Sequence, residues 1–259
     1  MSKNLIPAQR RKLIQAYLSA HTIARYSELS NLVDTSEATI RRDLEQLEQE
    51  GFLERTSGGA ILQVRMNLES GYAARANVFQ REKVNIGKFA AGMIESGDVV
   101  FMNSGSTTTQ ILRHIPREAQ LTIITNNTTA VTDVDKDVNF EVYLLGGKLN
   151  NKVSAVTGQF ALDSLSNVYA DKLFFGVDGI SPKFGCTVPT NHEAEIIRSM
   201  IARTRGLVAV VMDHSKWGVV SNYEVASLEQ VTALITDDGL EQQAYEQLVS
   251  QSVELFIAH

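Results

Sequence analysis

From Asp98 to the end of the chain, short apolar runs alternate with helical segments, and this alternation restricts the fold more than any other feature. The candidate strands are Asp98 to Met102, Leu121 to Thr125, Phe140 to Leu145, Lys172 to Val177, Leu207 to Met212, Val231 to Thr236 and Val253 to Ala258. Strands linked through helices imply a mostly parallel sheet covered on both faces, an α/β architecture. Ahead of the first strand, a helix carrying Val84, Ile86, Phe89, Ala90 and Met93 leads to Gly97. Ligands of such sheets bind outside the carboxyl ends of the strands. The residues expected there are polar or small: Asn103 to Thr109, Asn126 with Asn127, Gly146 to Lys148, Asp178 with Gly179, and Asp213 to Lys216. In the run Ser104, Gly105, Ser106, Thr107, Thr108, Thr109, small residues let a phosphate approach backbone donors and the hydroxyls add more. The same run also reads as a Ser/Thr-rich helix cap, and both readings stand.

The amino-terminal quarter has a different grammar. Residues 34 to 51, DTSEATIRRDLEQLEQEG, spell one helix: Ser36 to cap it, Glu37 in its first turn, Gly51 just past its end. Ile40, Leu44 and Leu47 form an apolar stripe, leaving Glu37, Thr39, Arg41, Arg42, Asp43 and Gln46 on the open face. Charges on a surface helix are usually only solvated. The setting argues for more. A helix over residues 7 to 20, opened by Pro7, carries Leu13, Ile14, Tyr17 and Leu18, and a short one over 26 to 33 carries Leu29, Leu32 and Val33. Three helices joined tightly at Asp34 and Thr35 make a helix-turn-helix, and FLERTSGGAILQV adds a hairpin, the wing of a winged helix. Tyr26 and Ser27 stand where a helix start either holds a DNA phosphate or is merely capped. Arg41 and Arg42 can reach guanine edges or phosphates, Thr39 a thymine methyl, and Ser36, Glu37, Arg55 and Ser57 complete the candidate DNA-contacting set.

The net charge of −6 by itself argues against a nucleic-acid partner, but it is unevenly spread. Residues 1 to 65 hold nine basic and eight acidic side chains, the remainder fifteen and twenty-two. A near-neutral module whose cations cluster at Arg10, Arg11, Lys12 and at Arg41, Arg42 can present a basic face to phosphates. The 259 residues suit a small domain and a larger one: 1–65, a connector over 66–80 with no clear periodicity, and 81–259. No apolar run approaches the roughly 20 residues that cross a bilayer, and MSKNLIPAQRRK lacks the apolar core of a signal peptide, so no membrane partner and a cytoplasmic location are expected. The single cysteine, Cys186, is assigned no chemistry, and His192 and His214 belong to no cluster with metal-ligand spacing.

The run SEATIRRDLEQLEQEGFLERTSGGA resembles the helix-turn-helix of the DeoR family of bacterial sugar-metabolism repressors, with Ser57 where that family usually has histidine. From about Glu82 to Gly239, SGSTT, ITNN, LLGGKLN, GVDGI and DHSKWG resemble the same family's effector domain, which looks like ribose-5-phosphate isomerase. The resemblance implies that Ser104, Gly105, Ser106, Thr107 and Thr108 bind an effector's phosphate. It further implies that Asn126, Gly146, Gly147 and Lys148 line the pocket, that Lys216 supplies a cation, and that Asp178 and Glu193 meet sugar hydroxyls. Asn103 stands where many members carry an acid.

Aldose–ketose isomerisation needs a carboxylate base and an acid or cation for the developing oxyanion. In the isomerases this goes with a DGADE run and a following lysine; here the run is VDGISP, with Ser181 and Pro182 in place of the two later acids. The expectation is therefore a regulator with no catalytic residues and no cofactor. Its partners would be double-stranded operator DNA and a phosphorylated sugar, and it would form a homodimer or homotetramer, because paired half-sites need paired reading heads. The alternative is a sugar-phosphate isomerase or transferase with a DNA-binding appendage.

Overall fold

The computed structural model describes every residue except 1–4, 22, 51, 57, 63, 66–70, 135, 136 and 252. The expected helix stop at Gly51, the wing contact at Ser57 and the first part of the connector lie outside the described residues.

The amino-terminal unit runs α1 (Pro7–His21), β1 (Ile23–Arg25), α2 (Tyr26–Leu32), α3 (Glu37–Gln49), β2 (Leu53–Arg55), β3 (Gly59–Leu62) and β4 (Val64–Arg65). Ser36 caps α3, its side chain accepting the Thr39 amide. Ile14, Leu18, Leu29, Ile40, Leu44 and Leu47 are fully buried in one cluster, so the apolar stripes of the three helices meet as the spacing predicts. Leu13 and Leu32 do not join them and stay exposed. Asp43 departs from its expected place on the open face of α3. It is 4% exposed because Arg10 of α1 donates Nη2 to its Oδ1 at 3.0 Å and Nε to its Oδ2. The hairpin is present, and β1 pairs antiparallel with β3 to make it three-stranded. That pairing requires Gly59, where any Cβ would fall 2.0 Å from the Ala24 carbonyl oxygen.

The connector is more ordered than its lack of periodicity suggests. It contains α4 (Tyr72–Ala76), and α5 (Gln80–Ala91) follows after Phe79, which holds a left-handed backbone at φ 51°. A bulky side chain rarely adopts that conformation. Here the Phe79 ring packs edge-on against His214, with centroids 4.6 Å apart.

Next come β5 (Val99–Met102), α6 (Ser106–His114), β6 (Thr122–Thr125), α7 (Ala130–Asp133), β7 (Glu141–Leu144), β8 (Lys148–Asn150), β9 (Ala155–Thr157) and α8 (Gln159–Leu165). The chain continues through β10 (Ala170–Phe175), β11 (Gly179–Ser181), β12 (Gly185–Val188), α9 (Asn191–Ala202) and β13 (Thr204–Val211). It ends with β14 (Val219–Val220), β15 (Tyr223–Ala226), β16 (Ala233–Asp237), α10 (Gln242–Ser250) and β17 (Glu254–Ala258). All seven expected strands join one sheet in the order β17-β16-β13-β10-β5-β6-β7, and every pair in it is parallel. Successive residues of each inner strand serve opposite faces. Phe174, Ala209 and Ile235 pack with Ile86 of α5 and Ile111 of α6, while Phe175, Val210 and Leu234 pack with Ile197 of α9 and Leu248 of α10.

Strand order reverses between β5 and β10: β6 and β7 extend the sheet one way, β13, β16 and β17 the other. Helices on either side of such a reversal leave a crevice at the strand ends. The two units also touch. β4 pairs in parallel with β14, and Glu54 of β2 is buried near Ser181 and Lys183, both of which favour its charged form. Among the described residues no helix is long and apolar enough to cross a membrane.

Candidate functional site

On α3, Arg41 and Arg42 are both exposed, but they are held differently. The Arg41 guanidinium carbon lies 4.0 Å from the centre of the Tyr26 ring. Tyr26 itself is buried, its hydroxyl donated to the Thr56 carbonyl at 3.1 Å and its amide to the Gly58 carbonyl at 3.0 Å. It therefore acts as a platform joining α2, α3 and the wing, with no hydroxyl free to reach outward. Glu37 is exposed, and the Thr39 hydroxyl lies 3.0 Å from that of Ser36. Arg55 is tied to Glu48 through its side chain at 2.8 Å and its amide at 3.0 Å. Burial alone would raise the Glu48 pKa, yet these bonds and the charge of Arg55 bring it below the usual carboxylate value. The shallow space around Tyr26, Ser27, Glu37 and Arg41 is bounded on the far side by Gln243 and Glu246 of α10.

In the larger domain a cavity opens at the strand-order reversal, among the carboxyl ends of β5, β6, β10 and β13. Its floor is the loop into α6. Ser104, Gly105, Ser106 and Thr107 line it, and the first amides of α6 have no helical acceptor and carry the positive end of the helix dipole. Two asparagines shape this loop. Asn103 exchanges both amide bonds with Gly176, Nδ2 to its oxygen at 3.0 Å and its nitrogen to Oδ1 at 2.9 Å, which clamps β5 to β10. Asn126 accepts the Ser104 amide at 2.8 Å and donates to the Val156 carbonyl at 3.1 Å. An aspartate at 103 would leave the Gly176 carbonyl without its donor.

Asp178, Glu193 and Lys216 line the same cavity, as the sequence predicts. Four predicted residues do not. Thr108 is fully buried, its hydroxyl turned back onto the Asn103 and Gly105 carbonyls. Gly146, Gly147 and Lys148 follow β7, which is an edge strand two places from the reversal.

Of the charged residues that line the cavity, two escaped the sequence reading, and both are cations. Arg75 reaches in from α4 and donates Nη1 to Asp178 Oδ1 at 3.0 Å. Lys83 of α5 is 3% exposed, donating Nζ to the Arg75 and Val78 carbonyls at 2.7 Å each, with Asp213 at 3.6 Å. Burial pushes the Lys83 pKa below its usual value against the pull of Asp213. Lys83 had a readable signal, since it shares a face of α5 with buried Ile86, Gly87 and Ala90. Arg75 had none, lying in a stretch without pattern. The site thus offers three cations, a helix start and hydroxyls for an anion, and two carboxylates for hydroxyl groups.

Comparison with known proteins gives this geometry its context. Residues 10–65 match the DeoR-like helix-turn-helix domain and residues 78–238 the DeoR C terminal sensor domain. The HTH-type transcriptional repressor GlcR of Bacillus subtilis is 33% identical over 250 residues, spanning 96% of this chain and 95% of that protein. The HTH-type transcriptional regulator GlpR of Haloferax volcanii is 31% identical over 249 residues, spanning 96% and 97%. Among solved structures, ribose 5-phosphate isomerase A of Methanocaldococcus jannaschii aligns with a TM-score of 0.38 at 14% identity, over 53% of this chain and 54% of its own.

Proposed function

The chain belongs to the DeoR family of transcriptional regulators, and from that premise we propose that it represses an operon for the use of a sugar and is controlled by a phosphorylated form of one. In this reading α3 and the wing read operator DNA, and the cavity at the strand-order reversal holds the effector. The observation that carries it is the lining of that cavity: the start of α6 together with Lys83, Lys216 and Arg75 suits a phosphate, and Asp178 and Glu193 suit sugar hydroxyls.

The residues of the run VDGISP speak against turnover as an isomerase. Asp178, the one carboxylate retained from the isomerase run, is engaged by Arg75 rather than free as a base, and the Ser181 hydroxyl that replaces an acid accepts the Phe184 amide at 3.1 Å. A regulator of this kind works through a coupling of about 1–3 kcal/mol between its two sites, which must be reciprocal. The test pairs thermal shift with DNA binding. Hexose and pentose phosphates are screened against the purified chain, and those that raise its melting temperature are added to a titration of the DNA upstream of its own gene. A ligand at about 100 times its dissociation constant stabilises the native state by roughly 2.7 kcal/mol. The proposal predicts that a sugar phosphate which stabilises the protein also changes its DNA affinity. Steady conversion of such a sugar by the purified chain would sink it.

A further inference from the structure

The cavity is not built from the sensor domain alone. One of its three cations, Arg75, belongs to α4, the helix that joins the DNA-binding unit to α5. Its side chain is 14% exposed and bonded through Nη1 to Asp178, while its Nε is buried with no acceptor among the described residues. The backbone of the same residue is also held from the cavity, because Lys83 donates to the Arg75 carbonyl. Beyond these, Tyr72 secures the start of α4 by donating its hydroxyl to Thr109 at 3.1 Å and its amide to the Lys152 carbonyl at 2.8 Å.

We propose that Arg75 is a ligand-contacting residue lent by the connector, and that exchange of its partner from Asp178 to the phosphate of the effector is the step that reports occupancy to the DNA-binding unit. The proposal rests on the reading of the cavity as an effector site. A guanidinium presents planar forks that prefer the paired oxygens of a dianion, and Nε belongs with Nη2 to the edge that the Nη1 bond to Asp178 does not use. A phosphate seated at the start of α6 takes this edge and draws the guanidinium off Asp178. The freed carboxylate then accepts a sugar hydroxyl, so a sugar phosphate satisfies both groups, whereas inorganic phosphate leaves Asp178 without a partner. Because Arg75 sits on a helix of only five residues, a change of its partner changes the seat of α4, and β4 with its pairing to β14 precedes that helix in the chain.

The experiment uses the full chain, with inorganic phosphate, glucose 6-phosphate, fructose 6-phosphate and ribose 5-phosphate as probes. Binding is read by calorimetry, and affinity for the DNA upstream of its own gene by fluorescence anisotropy. Arg75→Gln is expected to weaken the responding sugar phosphate and, without any ligand, to shift DNA affinity toward the liganded wild-type value, by roughly tenfold within the usual span of site-to-site coupling. Asp178→Asn keeps the cation but removes its resting partner. It is expected to shift unliganded DNA affinity in the same direction while still binding inorganic phosphate. If Arg75→Gln binds the sugar phosphate as the wild type does, or if neither variant moves DNA affinity without ligand, the proposal is overturned and the cavity reading survives. A wild-type chain that binds none of the four probes overturns both.

Discussion

Arg41 is stacked on Tyr26, at 4.0 Å, whereas Arg42, one residue on, has no ring beneath it among the described residues. On a helix of 3.6 residues per turn Arg42 lies half a turn from the buried stripe of Ile40, Leu44 and Leu47, pointing straight out, while Arg41 leans toward the start of α2. The two are expected to separate in function. Arg42→Ala should relax discrimination between the upstream DNA and a scrambled duplex by about 1–3 kcal/mol. Arg41→Ala should weaken both duplexes alike and lower the salt slope by about one. Anisotropy titrations at several salt concentrations distinguish the two, and equal losses of discrimination would refute the assignment.

Asp43 should matter for stability rather than for DNA. Asp43→Ala strands the Arg10 guanidinium in a site where its side chain is 13% exposed. Breaking a pair of this kind by removing one partner costs about 3–5 kcal/mol. Replacing both, as Arg10→Met with Asp43→Leu, is expected to recover most of it. Thermal unfolding of the three proteins checks the order.

The contact between the two units should depend on pH through Glu54. Burial raises its pKa above the ordinary carboxylate value, only partly offset by Ser181 and Lys183. Between the ordinary value and the raised one, the folded chain holds a proton that the unfolded chain has released, so stability falls as pH rises through that window. The contribution is fully present below it. Glu54→Gln cannot ionise and should flatten the fall, as measured by denaturant unfolding across the carboxylate range; an unchanged pH profile would show that Glu54 is not its source.

Asn103→Asp adds a negative charge to the anion cavity and removes the donor to the Gly176 carbonyl. The lost bond is expected to cost about 1 kcal/mol of stability. Phosphate affinity should drop as well, and calorimetry with inorganic phosphate reads it. Unchanged affinity would place the anion away from Asn103.

Much of the fold was legible because its signals are local or periodic. All seven strand runs, the Ser36 cap and the stripe of Ile40, Leu44 and Leu47 could be read from spacing alone. What escaped depends on distant partners. Asp43 looks exposed until Arg10, on another helix, is brought beside it, and β1 is three residues that become a strand only because β3 passes. In the cavity, the rule that ligands meet strand ends found Ser104 to Thr107, Asp178 and Lys216 but could not rank the strands. Gly146 to Lys148 sit at a strand end like the others, and only the order of the sheet, with β7 at its rim, sets them aside. Arg75 was invisible for the opposite reason, since it reaches a strand-end site from a connector.

The pairing of β4 with β14 spans only two residues on each strand. Main-chain bonds, not a slack tether, therefore hold this end of the wing to the larger domain. The reading helix does not swing like a weight on a string: any turn of it relative to the larger domain has to open this short ladder or carry it along, as a latch travels with its door.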